Sequence, residues 1–120
     1  MFDHLSVGVR DLSAARAFYD AFLAPLGHAP AVSSETELAY GPAGAAAQFY
    51  LYPVDGGQVA GLGAHVAFAA DSRAAVDAAY AAALAGGAVS VRAAWRWRWR
   101  SGTAGRKRCG SRSSVRLPGG

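Results

Sequence analysis

A repeat with an offset of 61 residues constrains the fold of this chain more than any other feature. Residues 4–27, HLSVGVRDLSAARAFYDAFLAPLG, align without a gap on residues 65–88, HVAFAADSRAAVDAAYAAALAGGA. The alignment pairs His4 with His65, each at the start of a strand-like run. In both copies the chain then turns at an Asp or a Ser and continues into an Ala-rich helical pattern. Two matching strand–helix units predict a duplicated fold with two equivalent histidines.

The first unit is predicted to be a strand followed by a helix. Residues 5–9 alternate between aliphatic residues and small or polar ones, as in a half-buried strand, so His4 is predicted to point away from the aliphatic face. Asp11 or Ser13 is placed to cap the helix, and Gly27 is placed to end it. The helix should pack on the aliphatic face of the strand through one apolar stripe. That stripe consists of Leu12, Ala15, Phe18, Tyr19, Phe22, Leu23 and Leu26.

Three short strands are predicted between the two units, at 31–33, 36–40 and 46–52, followed by a glycine-rich connection. His28 precedes them and is predicted to be a solvated loop residue. In the second unit Ser72 is placed to cap a helix that ends at the Gly-Gly pair 86–87. Its predicted buried stripe consists of Ala75, Val76, Ala79, Tyr80, Ala83 and Leu84. By symmetry, three further strands should follow residue 87.

Length and composition predict one globular domain, residues 1–120, in a reducing compartment. The chain is 52% hydrophobic with a mean hydropathy of +0.13, which argues against a disordered polypeptide. Its N-terminal stretch has no basic region before an apolar run, so no signal peptide is predicted, and no segment is apolar enough to span a bilayer. Cys109 is the only cysteine, so no internal disulfide is possible. We therefore expect a cytoplasmic protein.

Charge divides the chain sharply near residue 88. Residues 1–88 hold all eight acids and three arginines, a net charge of −5, whereas residues 89–120 hold nine basic residues and no acid. The later part also holds all three tryptophans. Such a change of composition indicates a segment with a different role or history.

The first 88 residues resemble the vicinal oxygen chelate superfamily, which includes glyoxalases, bleomycin-resistance proteins and extradiol dioxygenases. The resemblance is carried by a histidine opening a strand, Val-Arg-Asp-Leu at 9–12, Phe-Tyr in the helix, Leu-Gly at its end, and the second histidine 61 residues on. It implies an α+β fold of paired βαβββ modules that form a cup. Module one would span 1–63, and module two, at 64–88, would be truncated or replaced after Gly87.

The resemblance also implies a metal site in the cup. His4 and His65 correspond to two of the family's ligands to a divalent metal such as Zn, Fe, Mn, Ni or Mg. The other two family positions usually carry Glu, but the first falls near Tyr50, a poor ligand for most divalent metals. The second is missing, because no acid follows Asp77. The histidines could therefore be only polar residues that line the cavity, and no catalytic residue is identified.

Two functions follow from the resemblance. The leading one is a metal-dependent lyase, isomerase or dioxygenase that acts on a small oxygenated substrate and is impaired in this version. The alternative is a non-catalytic small-molecule binding protein of the bleomycin-resistance type. Independently of the resemblance, Tyr40, Phe49, Tyr50 and Tyr52 could line an aromatic substrate pocket for a planar ligand. Alternating aromatic residues in strands are also common as simple sheet packing. Homodimerisation is expected, because the family often completes its cups by pairing modules between chains.

The basic segment 89–120 has three interpretations. Trp95, Trp97 and Trp99 alternate with arginines, which could bind single-stranded nucleic acid or an anionic surface through stacking and charge. The segment could instead be a poorly ordered extension, with residues 89–99 adding one strand to the sheet. The third interpretation, which we favour, is a shifted reading frame in a GC-rich gene, because the repeat stops within a few residues of Gly87.

Overall fold

The computed structural model of the protein describes residues 3–56, 65–92 and 114–116. These residues form a mixed α+β structure, as predicted. Its elements in chain order are β1 (Leu5–Val9), α1 (Leu12–Leu23), a short 3₁₀ helix (Ala24–Leu26), β2 (His28–Ser33), β3 (Leu38–Pro42), β4 (Phe49–Pro53), α2 (Arg73–Ala85), β5 (Val89–Arg92) and β6 (Ser114–Arg116). No helix within the described ranges has the length and hydropathy needed to cross a bilayer.

The first module forms a four-stranded sheet with strand order β1-β4-β3-β2. β1 pairs with β4 in parallel, Ser6 lying opposite Tyr50, and β3 pairs antiparallel with β4, Ala39 lying opposite Tyr50. Because β1 and β4 are parallel neighbours, the chain must cross over between them, and α1 with the β2–β3 hairpin provides that crossover. This order of elements confirms the predicted βαβββ module.

Strand boundaries differ from the sequence prediction. β2 begins at His28 rather than at residue 31, and β3 and β4 are each shifted toward the C-terminus. Gly27 adopts a positive φ of 78°, which turns the chain directly from the 3₁₀ helix into β2. Pro30 is accommodated because β2 is an edge strand, where a missing N–H breaks no ladder bond. His28 is thus a strand residue, and its Nδ1 lies 3.1 Å from the Leu26 carbonyl oxygen.

Both helices begin where the repeat predicts. The Asp11 carboxylate accepts a hydrogen bond of 2.9 Å from the Ala14 N–H at the start of α1. At the equivalent position in α2, the Ser72 hydroxyl accepts a bond of 3.1 Å from the Ala75 N–H. Each cap satisfies a backbone donor that has no partner within the helix. The duplication therefore extends from the sequence to the capping geometry.

The second copy departs from the first at its strand. Residues 65–70 have no regular secondary structure, so the prediction that His65 opens a strand is wrong. A strand requires a partner that accepts its backbone hydrogen bonds, and this segment pairs with none of the described strands. Phe68 instead packs its ring edge-on against Phe22 and Phe49, at centroid distances of 5.6 and 5.1 Å. The segment is thereby attached to the core of module one.

The core lies between α1 and the sheet, and α2 packs on α1. Its buried members are Phe18, Tyr19, Leu23, Leu38, Tyr40, Phe49, Leu51, Ala83 and Ala88. α2 contributes mainly small side chains, Val76, Ala79 and Ala83, which let it approach α1 closely. Leu84, which was predicted to be buried in the same stripe, is 41% exposed.

β5 pairs antiparallel with β6 in a separate two-stranded sheet, with Val89 opposite Arg116. The prediction that residues from 89 onward add a strand to the main sheet is therefore wrong for the described part of the segment. Trp95, Trp97 and Trp99 lie outside the described residues. Tyr80 of α2 and Ser90 of β5 form a hydrogen bond through their hydroxyl groups, which attaches this strand to the helix.

Gly41 in β3 is a position where we expect a small substitution to have a large effect. A Cβ atom there would lie 2.6 Å from the Ala46 carbonyl oxygen, a backbone atom that cannot rotate away. At Gly8 the Cβ would lie 2.8 Å from the Val54 side chain, which can be shortened. Gly41→Ala should lower the free energy of unfolding by about 1–3 kcal/mol in urea denaturation.

The matched comparison is Gly8→Ala, alone and with Val54→Ala. The second substitution should restore part of the stability lost at Gly8, because it removes the obstructing methyl groups. A Gly41→Ala protein as stable as the wild type would show that the turn after β3 is not packed as described.

Candidate functional site

The two faces of the four-stranded sheet differ in character. Along β4, Phe49 and Leu51 are buried against α1, whereas Tyr50 is half-buried and Tyr52 exposed. Since successive side chains of a strand point to opposite faces, Tyr50 and Tyr52 lie on the face away from α1. We call this the open face. His4 lies on it as predicted, because its ring contacts Tyr50.

Three aromatic rings form a continuous row on the open face. The rings of His4 and Tyr50 meet edge-on, with centroids 5.5 Å apart and an interplanar angle of 73°. Tyr50 and Tyr52 are parallel, with centroids 6.4 Å apart and an interplanar angle of 6°. The strand spacing produces this arrangement, because residues two apart on β4 project side by side. The row offers π-faces and edges to a planar ligand.

Carboxylates lie at both ends of the aromatic row. Desolvation raises the pKa of Tyr52, and the charge of the nearby Glu37 carboxylate raises it further. At the other end, the Asp3 carboxylate lies 2.9 Å from Nδ1 of His4. Aromatic faces flanked by negative charge attract cations, both by Coulomb interaction and by the ring quadrupole.

Two of the four predicted pocket residues are not on the open face. Tyr40 is fully buried and Phe49 nearly so, and both pack against Tyr19 of α1. The Tyr40 hydroxyl donates a hydrogen bond of 2.8 Å to Asp20 of α1. Burial is the main cause of the raised pKa of Tyr40, and the hydrogen bond to Asp20 raises it further. Tyr40 and Phe49 are core residues, because Phe49 has the same strand parity as Leu51 and the register places Tyr40 opposite Phe49. Of the four predicted pocket residues, Tyr50 and Tyr52 lie on the open face.

The predicted metal ligands do not form a ligand set within the described residues. His4 and His65 are both exposed, and His65 is not held in a strand. Over residues 3–56, 65–92 and 114–116, no group of three His, Cys, Asp or Glu side chains is arranged to hold a metal ion. A usable site normally needs a third protein ligand. The donors present here therefore do not fit a resident divalent metal, and Cys109 lies outside the described ranges.

Glu37 is a residue that the sequence analysis missed. The predicted strand at 36–40 placed it inside a strand without assigning it a face. In the structure β3 begins at Leu38, which pairs with Leu51, and continuing this register by one row brings Glu37 opposite Tyr52. A pairing register would have identified Glu37, but a register depends on two strands and cannot be read from one.

The chain is similar to known proteins in both sequence and structure. The family model of the Glyoxalase/Bleomycin resistance protein/Dioxygenase superfamily matches residues 1–104, so the match continues beyond residue 88, where the resemblance was expected to end. A glyoxalase/bleomycin resistance protein from Albidiferax ferrireducens, known from its crystal structure, is similar at 37% identity and a TM-score of 0.65. The similarity covers 77% of this chain and 74% of that one. No curated protein matches the chain.

Proposed function

The chain belongs to the Glyoxalase/Bleomycin resistance protein/Dioxygenase superfamily, and on this basis we propose that it binds an aromatic, cationic small molecule without a metal. The observation that carries the proposal is the row of His4, Tyr50 and Tyr52 on the open face, with Glu37 beside it. This function is of the bleomycin-resistance type. It requires recognition of a ligand and no chemical step.

The typical energies of aromatic and cation–π interactions support an aromatic, cationic ligand. Each aromatic pair is worth about 0.5–1.5 kcal/mol beyond the area that it buries, and a cation over an aromatic face adds about 0.5–2 kcal/mol. The rings are pre-aligned by the strand, so little side-chain entropy is lost when a planar ligand binds. Glu37 contributes a negative charge whose attraction falls with salt, because the site is partly exposed.

A metal-dependent lyase, isomerase or dioxygenase is the second candidate. The observation that favours it is the place of His4 on the open face, where the resemblance puts the first ligand to a Zn, Fe, Mn, Ni or Mg ion. It would need His65 and a third donor that the described residues do not supply. Stoichiometric binding of a divalent metal that is lost in both His4→Ala and His65→Ala would support this candidate.

Calorimetric titration with metal-free bleomycin in the presence of a chelator tests the proposal. We expect saturable binding, weakened about 5- to 30-fold by Tyr50→Ala and by Tyr52→Ala, since each ring should contribute about 1–2 kcal/mol. Tyr52→Phe keeps the ring and should retain most of the affinity. Leu84→Ala, on the exposed side of α2, is the control and should bind like the wild type.

Two results would contradict the proposal. One is binding that requires an added divalent metal, which would favour the enzyme. The other is equal affinity of wild-type, Tyr50→Ala and Tyr52→Ala proteins, which would place the ligand elsewhere. Homodimerisation stays a prediction, as does nucleic-acid binding through the Trp/Arg segment, whose tryptophans lie outside the described residues.

A further inference from the structure

We infer that Arg16 and Ser34 are positioning residues for the proposed ligand site: they hold the β2–β3 turn that presents Glu37 beside Tyr52. The inference rests on the proposed function, because it names the residues that organise one edge of that site. Neither residue lies in the aromatic row, and Arg16 belongs to α1, which packs on the other face of the sheet.

Ser34 organises the turn through its side chain and its backbone. Its hydroxyl oxygen lies 3.3 Å from the Thr36 N–H and 3.0 Å from the Glu37 N–H, and accepts from both. Its own N–H donates a bond of 2.9 Å to the Glu37 carbonyl oxygen. These bonds close the four-residue turn and fix the backbone of Glu37 immediately before β3 begins.

Arg16 connects this turn to α1. Its Nη2 donates a hydrogen bond of 3.2 Å to the Ser34 carbonyl oxygen, across 18 residues of sequence. The helix is itself held on the sheet by Phe18, Tyr19 and Leu23 of the core. The guanidinium therefore fixes the turn to the rigid part of the module, and a charged donor makes this bond stronger than a neutral one.

Glu37 connects the β2–β3 turn to the open face of the sheet. Continuing the β3–β4 register one row beyond Leu38 and Leu51 brings Glu37 opposite Tyr52, and the charge of Glu37 raises the pKa of the phenol. Because the turn holds the backbone of Glu37, its carboxylate samples fewer positions and loses less conformational freedom when a cation binds than one on a loosely held turn. Without Ser34 or Arg16 the same charge is present but its average position is less defined. The expected consequence is weaker binding of the cation, although Ser34→Ala leaves the net charge unchanged and Arg16→Gln removes one positive charge.

The test uses the phenol of Tyr52 as a reporter, followed by NMR of ring-labelled tyrosine during a pH titration. Glu37→Gln should lower the pKa of Tyr52 toward its ordinary value, and Ser34→Ala and Arg16→Gln should lower it in the same direction by less. Affinity for metal-free bleomycin should fall about 3- to 10-fold in these variants, the range expected when one hydrogen-bonded charge is less well placed.

Matched controls separate positioning from stability. Ser72→Ala removes a comparable hydroxyl–backbone bond at the start of α2, and Arg73→Gln removes a helix arginine whose Nε lies 3.6 Å from the Asp77 carboxylate. Both should leave the Tyr52 titration and the affinity unchanged. A Tyr52 pKa that moves in Glu37→Gln but not in Ser34→Ala or Arg16→Gln overturns the inference. If the wild-type protein binds no bleomycin but all three variants lower the pKa of Tyr52, the proposed function is refuted and the positioning of Glu37 is supported.

Discussion

Leu23→Ala is expected to lower the free energy of unfolding by about 2–5 kcal/mol, the usual cost of truncating a fully buried leucine. Leu23 ends α1 and has no exposed surface, because it packs in the core shared by the helix and the sheet. Removing its isobutyl group forfeits the burial of that group and leaves a cavity that the surrounding side chains fill only in part. For a domain whose total stability is about 5–15 kcal/mol, this is a large fraction.

Leu84→Ala is the matched control, because the repeat places Leu84 at the position equivalent to Leu23. Its side chain is 41% exposed at the end of α2, so truncation should cost less than about 1 kcal/mol. Urea denaturation of both variants measures the difference. Equal losses would mean that the two helices are packed equivalently, contrary to the structure.

Alkaline pH is expected to destabilise the protein through Tyr19. Burial raises the pKa of Tyr19 from 10.0 to about 12. Below pH 10 the phenol is protonated in both the folded and the unfolded states, and its contribution to stability is fully present. Between pH 10 and 12 the unfolded state loses the proton while the folded state retains it. The free energy of unfolding should therefore fall by about 1.4 kcal/mol per pH unit over this interval, or about 3 kcal/mol in total.

Tyr19→Phe isolates this contribution, because it keeps the ring and removes the ionisable hydroxyl. Urea denaturation at pH 8, 10 and 11.5 should show a smaller loss of stability in the variant than in the wild type above pH 10. Tyr40, whose pKa is also raised by burial and by its bond to Asp20, adds a loss of the same sign that remains in Tyr19→Phe. Wild-type and variant proteins that lose stability in parallel would show that Tyr19 ionises at its ordinary pKa.

The candidate site was only partly predictable. The parity of β1 correctly placed His4 on the face away from the helix, where its ring contacts Tyr50. Tyr40 and Phe49 were assigned to the same pocket, although they lie in the core. An aromatic side chain does not indicate by its type which face it occupies; strand boundaries and register decide that, and the boundaries of β3 and β4 were displaced by two or three residues.

The features that could be predicted from the sequence alone are local ones. Asp11 and Ser72 begin helices because a side-chain oxygen reaches an N–H three residues on, and no distant residue is needed for that bond. The tertiary structure alone decided that residues 65–70, the copy of β1, have no strand, since a strand depends on a partner far along the chain. It likewise buried Leu23 and exposed Leu84 at equivalent positions of one repeat. Burial depends on what packs against a side chain, and the two copies of the repeat have different neighbours.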